Sequence, residues 1–122
     1  MSKTILTIDD SSSIRAMIRM TLAGAGYRVI EAEHGADGLQ KAGSQHVDAV
    51  LTDLNMPVMN GIEFIRRYRG QASGRGVPVV VLTTESDERL KQEARAAGAT
   101  GWLVKPFQQD QLLKVVRKVA GE

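Results

Sequence analysis

Residues 47–61, VDAVLTDLNMPVMNG, decide how the chain is read. The stretch opens on apolar and β-branched residues, Val47, Val50 and Leu51, then meets one acid, Asp53. It breaks at once into the turn formers Asn55, Pro57, Asn60 and Gly61. A buried strand that ends on a carboxylate and leaves through a turn sets that carboxylate at the lip of a sheet, facing solvent. Asp53 is therefore a candidate nucleophile, and the rest of the chain is expected to hold a metal and a phosphoryl group against it.

Working outward, residues 4–8 (TILTI) and 28–32 (RVIEA) are β-prone, residues 48–53 form the strand just described, 77–83 (VPVVVLT) is the most apolar run, and 101–104 (GWLV) is a fifth strand. The unalternating 77–83 run predicts a strand buried on both faces, as in the middle of a parallel sheet. Helices are expected between them. Ser11, Ser12 or Ser13 caps one with Ile14, Met17, Ile18 and Leu22 at helical spacing, stopped by Gly24 and Gly26. A weaker helix runs from about Ala36 to Gly43. A third buries Ile62, Ile65 and Tyr68 and turns Arg66, Arg67 and Arg69 to solvent. After the loop 70–76, Ser86 or Asp87 caps a fourth with Leu90, Ala94 and Ala97, ending at Gly98. The last, from about Gln109 to Ala120, buries Leu112, Leu113, Val116 and Val119. Five strands alternating with five helices make a doubly wound parallel α/β sheet with right-handed crossovers, a single domain over 1–122.

Composition agrees. At 122 residues, with 43% hydrophobic and 25% charged residues, the chain can fill one core. It has no cysteine, so neither a disulfide framework nor a thiolate metal site is expected. The N-terminus carries one Lys and an apolar run broken by Asp9 and Asp10, which fits neither a signal peptide nor a membrane span. A net charge of +2 is too weak a bias to argue for a nucleic-acid partner, and none is expected. A cytoplasmic location is expected.

In this architecture ligands bind beyond the carboxyl ends of the strands. The residues there are Asp9 and Asp10 after strand one, Asp53 after strand three, Thr83 and Thr84 after strand four, and Lys105 after strand five. Each has a plain structural reading alone: a helix cap, a turn acid, a strand hydroxyl, a surface lysine. Nothing structural requires all of them on one edge. Crowded carboxylates repel unless a cation is shared, and oxygen ligands suit Mg²⁺. His34 and His46 lie elsewhere and read as surface residues, which argues against zinc. With Mg²⁺ present, an Asp can attack a phosphoryl group, while Lys105 and Thr83 contact its oxygens.

Asp9-Asp10, Asp53-Leu54-Asn55-Met56-Pro57 with Gly61, Leu82-Thr83 and Lys105-Pro106-Phe107 resemble the receiver domain of bacterial two-component response regulators, across essentially the whole chain. The resemblance implies the flavodoxin-like (βα)5 fold with strand order 2-1-3-4-5 and a stand-alone, CheY-like chemotaxis member. It implies that Asp53 accepts the phosphoryl group, that Asp10 is a direct metal ligand and Asp9 one through water, and that Asn55 offers its backbone carbonyl. Thr83 and Trp102 would act as the switch, Lys105 as the ion-pair partner, and Lys105-Pro106 would be cis. Partners so implied are a CheA-like sensor histidine kinase, an output protein such as the flagellar motor switch, and a phosphatase. No activity beyond its own phosphorylation and dephosphorylation is expected.

The chain departs from the family in two places: Trp102 replaces the usual Tyr or Phe, and Leu54 stands where enteric members have Trp. Asn55 and Glu85 match the chemotaxis type, for which a fairly short-lived acyl phosphate is expected. The segment 89–118 holds seven basic and two acidic residues. It reads as a solvated face or as a docking face, on helix four, strand five and helix five, for an acidic or amphipathic partner. Within the family, a phosphorelay intermediate or a non-motility adaptor has the same site. A haloacid dehalogenase-type phosphohydrolase would need Asp-x-Asp after strand one and a cap domain. A flavin or nucleotide binder would need glycines where DDSSSIR has serines.

Overall fold

The computed structural model describes residues 2–121. The predicted run 4–8 forms β1 (Thr4–Ile8), followed by α1 (Ser12–Gly24), β2 (Arg28–Ala32), α2 (Gly35–Ser44), β3 (Ala49–Asp53), α3 (Gly61–Arg69), β4 (Val79–Thr83), α4 (Glu88–Ala97), β5 (Gly101–Val104) and α5 (Gln109–Ala120). The strands form one parallel sheet in the order β2-β1-β3-β4-β5. This is the flavodoxin-like arrangement expected from the family resemblance, with β1 and β3 adjacent at the point where the winding reverses.

Side chains alternate across a strand, and that alternation divides the core in two. Leu6, Ile8, Val50, Val79 and Val81 face one layer, with Ala42 of α2, Ile62, Phe64, Ile65 and Tyr68 of α3, and Ala94 of α4. Ile5, Ala49, Leu51, Val80 and Leu82 face the other, with Ile18 and Leu22 of α1 and Leu112 and Val116 of α5. β4 is an interior strand, between β3 and β5, and all five of its residues are buried. The lack of alternation in its sequence reflects coverage on both faces. Among the described residues, no helix is long and apolar enough to cross a membrane.

Helix starts follow the expected capping chemistry. Ser11 accepts from the Ile14 N–H, and Asp87, rather than Ser86, accepts from the Arg89 N–H. β4 begins at Val79, later than the expected 77. Val77 and Pro78 approach the sheet without joining the strand, and the Pro78 carbonyl accepts from Val50 N–H at 2.9 Å. The loop 70–76 contains a 3-10 turn at Ala72–Gly74.

Two surface assignments are corrected. His34 is half-buried, and its Nδ1 accepts from the Asp37 N–H, so it caps α2. Arg69 does not join Arg66 and Arg67 in solvent. Its guanidinium donates to the carbonyls of Gly74, Val77 and Gly98, tying the end of α3 to the turn after α4. Helical phase put Arg69 on the polar side, but the acceptors that hold it come from remote segments.

Candidate functional site

The same alternation aims the acids. Asp9 continues the β1 ladder, its N–H donating to the Ala32 carbonyl at 3.1 Å, and Asp53 is the last residue of β3. By register both project on the α1/α5 side, with Ile5 and Leu51. Thr83 and Trp102 have the parity of Val79 and Val81 and belong to the α3/α4 side. The acid cluster and the proposed switch therefore lie on opposite faces of the sheet and meet only at its carboxyl edge.

Asp9 is 2% exposed and its carboxylate is occupied on both sides. Oδ1 accepts from Ser11 N–H at 2.9 Å, and Oδ2 accepts from Lys105 Nζ at 2.9 Å. Asp10 is exposed, and among the described residues nothing hydrogen-bonds or pairs with its carboxylate. Asp53 Oδ1 accepts from Leu54 N–H at 2.8 Å and lies 3.6 Å from Lys105 Nζ. One oxygen from each of the three acids lies within 4.8 Å of the others. Burial pushes the Asp53 carboxyl above the usual carboxylate range. The charges of Asp9 and Asp10 add to the rise, and Lys105 and the Leu54 N–H oppose it without winning.

The loop that leaves Asp53 is tightly built. Met59 N–H donates to the Pro57 carbonyl at 2.7 Å around Val58, whose φ is +71°, which makes a γ-turn at an exposed β-branched residue. Gly61 N–H then closes the loop on the Leu54 carbonyl at 2.8 Å. A Cβ at Gly61 would collide with the Asp53 backbone oxygen, so the start of α3 can lie against the acceptor strand only without a side chain. Asn55 stands exposed in this loop, two residues past Asp53.

At the edge of β4, Thr83 is 1% exposed and its Oγ1 accepts from Glu85 N–H at 3.1 Å. Lys105 N–H donates to the Thr83 carbonyl at 2.7 Å, which fixes the lysine's backbone to β4, and the Lys105–Pro106 peptide is cis as expected. Trp102 is half-buried against the α3/α4 layer, and its buried Nε1 has no hydrogen-bond partner among the described residues. The structure thus brings together Asp9, Asp10, Asp53 and Lys105, and leaves Thr83 beside them with its hydroxyl turned to Glu85.

The donor set suits a hard divalent cation: carboxylate oxygens only, crowded, one acid buried and locked, another exposed and free. Sequence reasoning named these acids, and Ser11 as a helix cap, but missed the bond from Ser11 to Asp9 and missed Arg15 altogether. Ser11 is legible as the residue two past an acid, the spacing of an Asx turn. Arg15 Nη1 donates to the Asp9 carbonyl at 2.6 Å, and the available signal was an Arg one helical turn past the cap.

Fold and site together define a flavodoxin-like α/β domain with an acidic cluster, able to hold a cation, on its carboxyl edge. Comparison with known proteins sharpens this. The family described as response regulator receiver domain matches residues 5–117, and the chain belongs to that family. It is 36% identical over 119 residues to the chemotaxis protein CheY1 of Helicobacter pylori, covering 96% of each chain. Among solved structures it is similar to the chemotaxis protein CheY4 of Vibrio cholerae, with a TM-score of 0.95 and 45% identity over 98% of this chain and 99% of that one. The receiver domain of the sensor histidine kinase PA1611 from Pseudomonas aeruginosa, which has a magnesium ion coordinated in its active-site cleft, matches with a TM-score of 0.91 and 30% identity over all of both chains. The chain is thus a phosphorelay signalling domain of the CheY-like type, a class that works with a histidine kinase and an output target.

Proposed function

We propose that residues 1–122 act as one receiver unit in which Asp53 accepts a phosphoryl group from a sensor histidine kinase, with Mg²⁺ held by Asp10, Asp53 and the Asn55 backbone carbonyl, and by Asp9 through water. The observation that carries this reading is the contrast within the acid cluster. Among the described residues, Asp9 is buried and bound by Ser11 and Lys105, Asp10 is open, and Asp53 is engaged through Oδ1 only. When bound, the cation neutralises the acids and the phosphoryl oxygens. An Asp53 oxygen attacks phosphorus, the bond to the donor imidazole nitrogen breaks, and its electron pair returns to that nitrogen. Lys105, already beside Asp53, pairs with a phosphoryl oxygen. Water later cleaves the acyl phosphate and restores the carboxylate, so the signal is transient.

The output follows from a two-state element. Thr83 gives up the Glu85 N–H, donates its hydroxyl to the phosphoryl group and draws the loop 84–87 with it. Trp102, on the same face, repacks, and the surface of α4, β5 and α5 changes. The basic residues of that surface suit an acidic or amphipathic partner segment, and chemotaxis is the pathway that fits the similar proteins. Calorimetric titration of Mg²⁺ tests the assignment. Asp10→Ala is expected to weaken binding far more than Asp9→Ala, and equal losses would overturn the division between direct and water-mediated ligand.

A further inference from the structure

The acid cluster is backed by an ion-pair network that the chemistry above does not use. Arg15, near the start of α1, has a side chain only 13% exposed. Its Nη1 donates to the Asp9 carbonyl at 2.6 Å, and its Nε donates to Glu31 Oε1 at 3.3 Å. Glu31, on edge strand β2, also accepts on Oε2 from Arg19 Nη1 at 2.7 Å, while its backbone carbonyl accepts from Lys41 Nζ at 2.6 Å. The Asp9 carbonyl belongs to the peptide that leads into Asp10, so a donor fixed on that oxygen fixes the plane from which Asp10 projects. With Asp9 N–H already on Ala32, the Asp9 main chain is held from both sides. Asp10 therefore gets its direction from the backbone, because among the described residues no side chain holds its carboxylate.

We propose that Arg15 is a positioning residue for the cation site and that Glu31 holds it in that role. The inference rests on the receiver reading and extends it. Arg15 fixes the Asp9–Asp10 peptide so that the exposed Asp10 carboxylate is pre-aimed at the metal. Glu31 anchors the guanidinium on the β2 side, so that it does not swing across to pair with Asp10 and compete with the cation.

Charge alone makes the opposite prediction for one variant, which allows a clean test. Removing the Arg15 cation from beside an anionic site would tighten Mg²⁺ binding if only electrostatics mattered. Removing an outer residue that orients a ligand weakens it, typically about tenfold or more. Arg15→Met is expected to weaken Mg²⁺ binding about tenfold by calorimetry and to speed exchange of the Asp10 amide in the metal-free folded protein. Its labelling by acetyl phosphate should slow at subsaturating Mg²⁺, and saturating Mg²⁺ should recover most of that loss. Glu31→Gln is expected to weaken Mg²⁺ binding as well, and the double variant should resemble Arg15→Met alone, because residues in one network are not additive. Unchanged or tighter Mg²⁺ binding by Arg15→Met would overturn the proposal, as would additive losses in the double variant. If Arg15→Met does not fold, Arg15→Lys replaces it. The lysine keeps one charge but cannot span Asp9 and Glu31, so weakened binding supports the proposal and wild-type binding overturns it. Absence of Mg²⁺ uptake by the wild-type protein would instead remove the receiver reading itself.

Discussion

Replacing Asp53 with Asn is expected to stabilise the metal-free protein while removing its phosphoryl acceptor. Asn keeps the volume and an acceptor for the Leu54 N–H, so the change is close to a pure loss of charge. The oxygens of Asp9 and Asp10 lie within 4.8 Å of that of Asp53, which at an effective dielectric of about 20 amounts to about 3.5 kcal/mol of repulsion for each pair. The attraction to Lys105 at 3.6 Å offsets about 4.6 kcal/mol of this. Removing the charge therefore relieves about 2 kcal/mol. Burial of Asp53 acts in the same direction, and solvent around Asp10 acts against it. For a domain of this size that is a rise in Tm of roughly 5–10 °C. The pH dependence has a definite sign. The Asp53 carboxyl is raised in the folded state, so the folded protein holds a proton that the unfolded chain has released. The cost is absent below the unfolded value near 3.8, grows as pH rises from there towards the folded value, and is complete above it. The two proteins should therefore unfold alike near pH 3 and diverge towards pH 7. Thermal unfolding in chelator, across pH, reads this directly. A metal-free Asp53→Asn protein no more stable than wild type at pH 7 would refute the claim that the cluster is electrostatically strained.

Two further outcomes are expected. Asp48 accepts from Thr4 N–H at 2.7 Å, and that bond holds its carboxyl below the usual range. It therefore adds stability above the unfolded value that is lost as pH falls through the folded one. Asp48→Ala should cost about 1.5–3 kcal/mol at neutral pH and flatten the acid limb of the stability profile in chemical denaturation. Trp102 is the protein's single tryptophan, so its emission reports the proposed switch: beryllofluoride with Mg²⁺ should shift it in wild type and not in Thr83→Ala, and a shift retained in Thr83→Ala would separate ring movement from the hydroxyl.

How much was legible in the sequence can be judged from single residues. β4 announced that it is an interior strand because burial on both faces removes the polar alternation. Asp9, Asp10, Asp53, Thr83 and Lys105 could be found because parallel topology sends every strand's carboxyl end to one edge. Which of those groups touch could not. That Lys105 would settle on Asp9 at 2.9 Å and stand 3.6 Å from Asp53 depends on backbone placement across β4 and β5. Arg69 and Arg15 were lost for a shared reason. Arg69 is held by the carbonyls of Gly74, Val77 and Gly98, and Arg15 by the Asp9 carbonyl and the Glu31 carboxylate, all outside their own helices, and helical phase carries no information about them. His34 was misread because a neutral imidazole can cap a helix as Ser or Asp does, and only the Asp37 N–H reveals it.

Phosphoryl labelling of the purified protein tests the central claim most directly. Incubation with acetyl phosphate and Mg²⁺, followed by peptide mapping, should place an acid-stable, base-labile label within residues 47–61 on Asp53. Labelling should vanish in chelator and in Asp53→Asn. A label of equal yield in Asp53→Asn, or one formed without a divalent cation, would contradict the account.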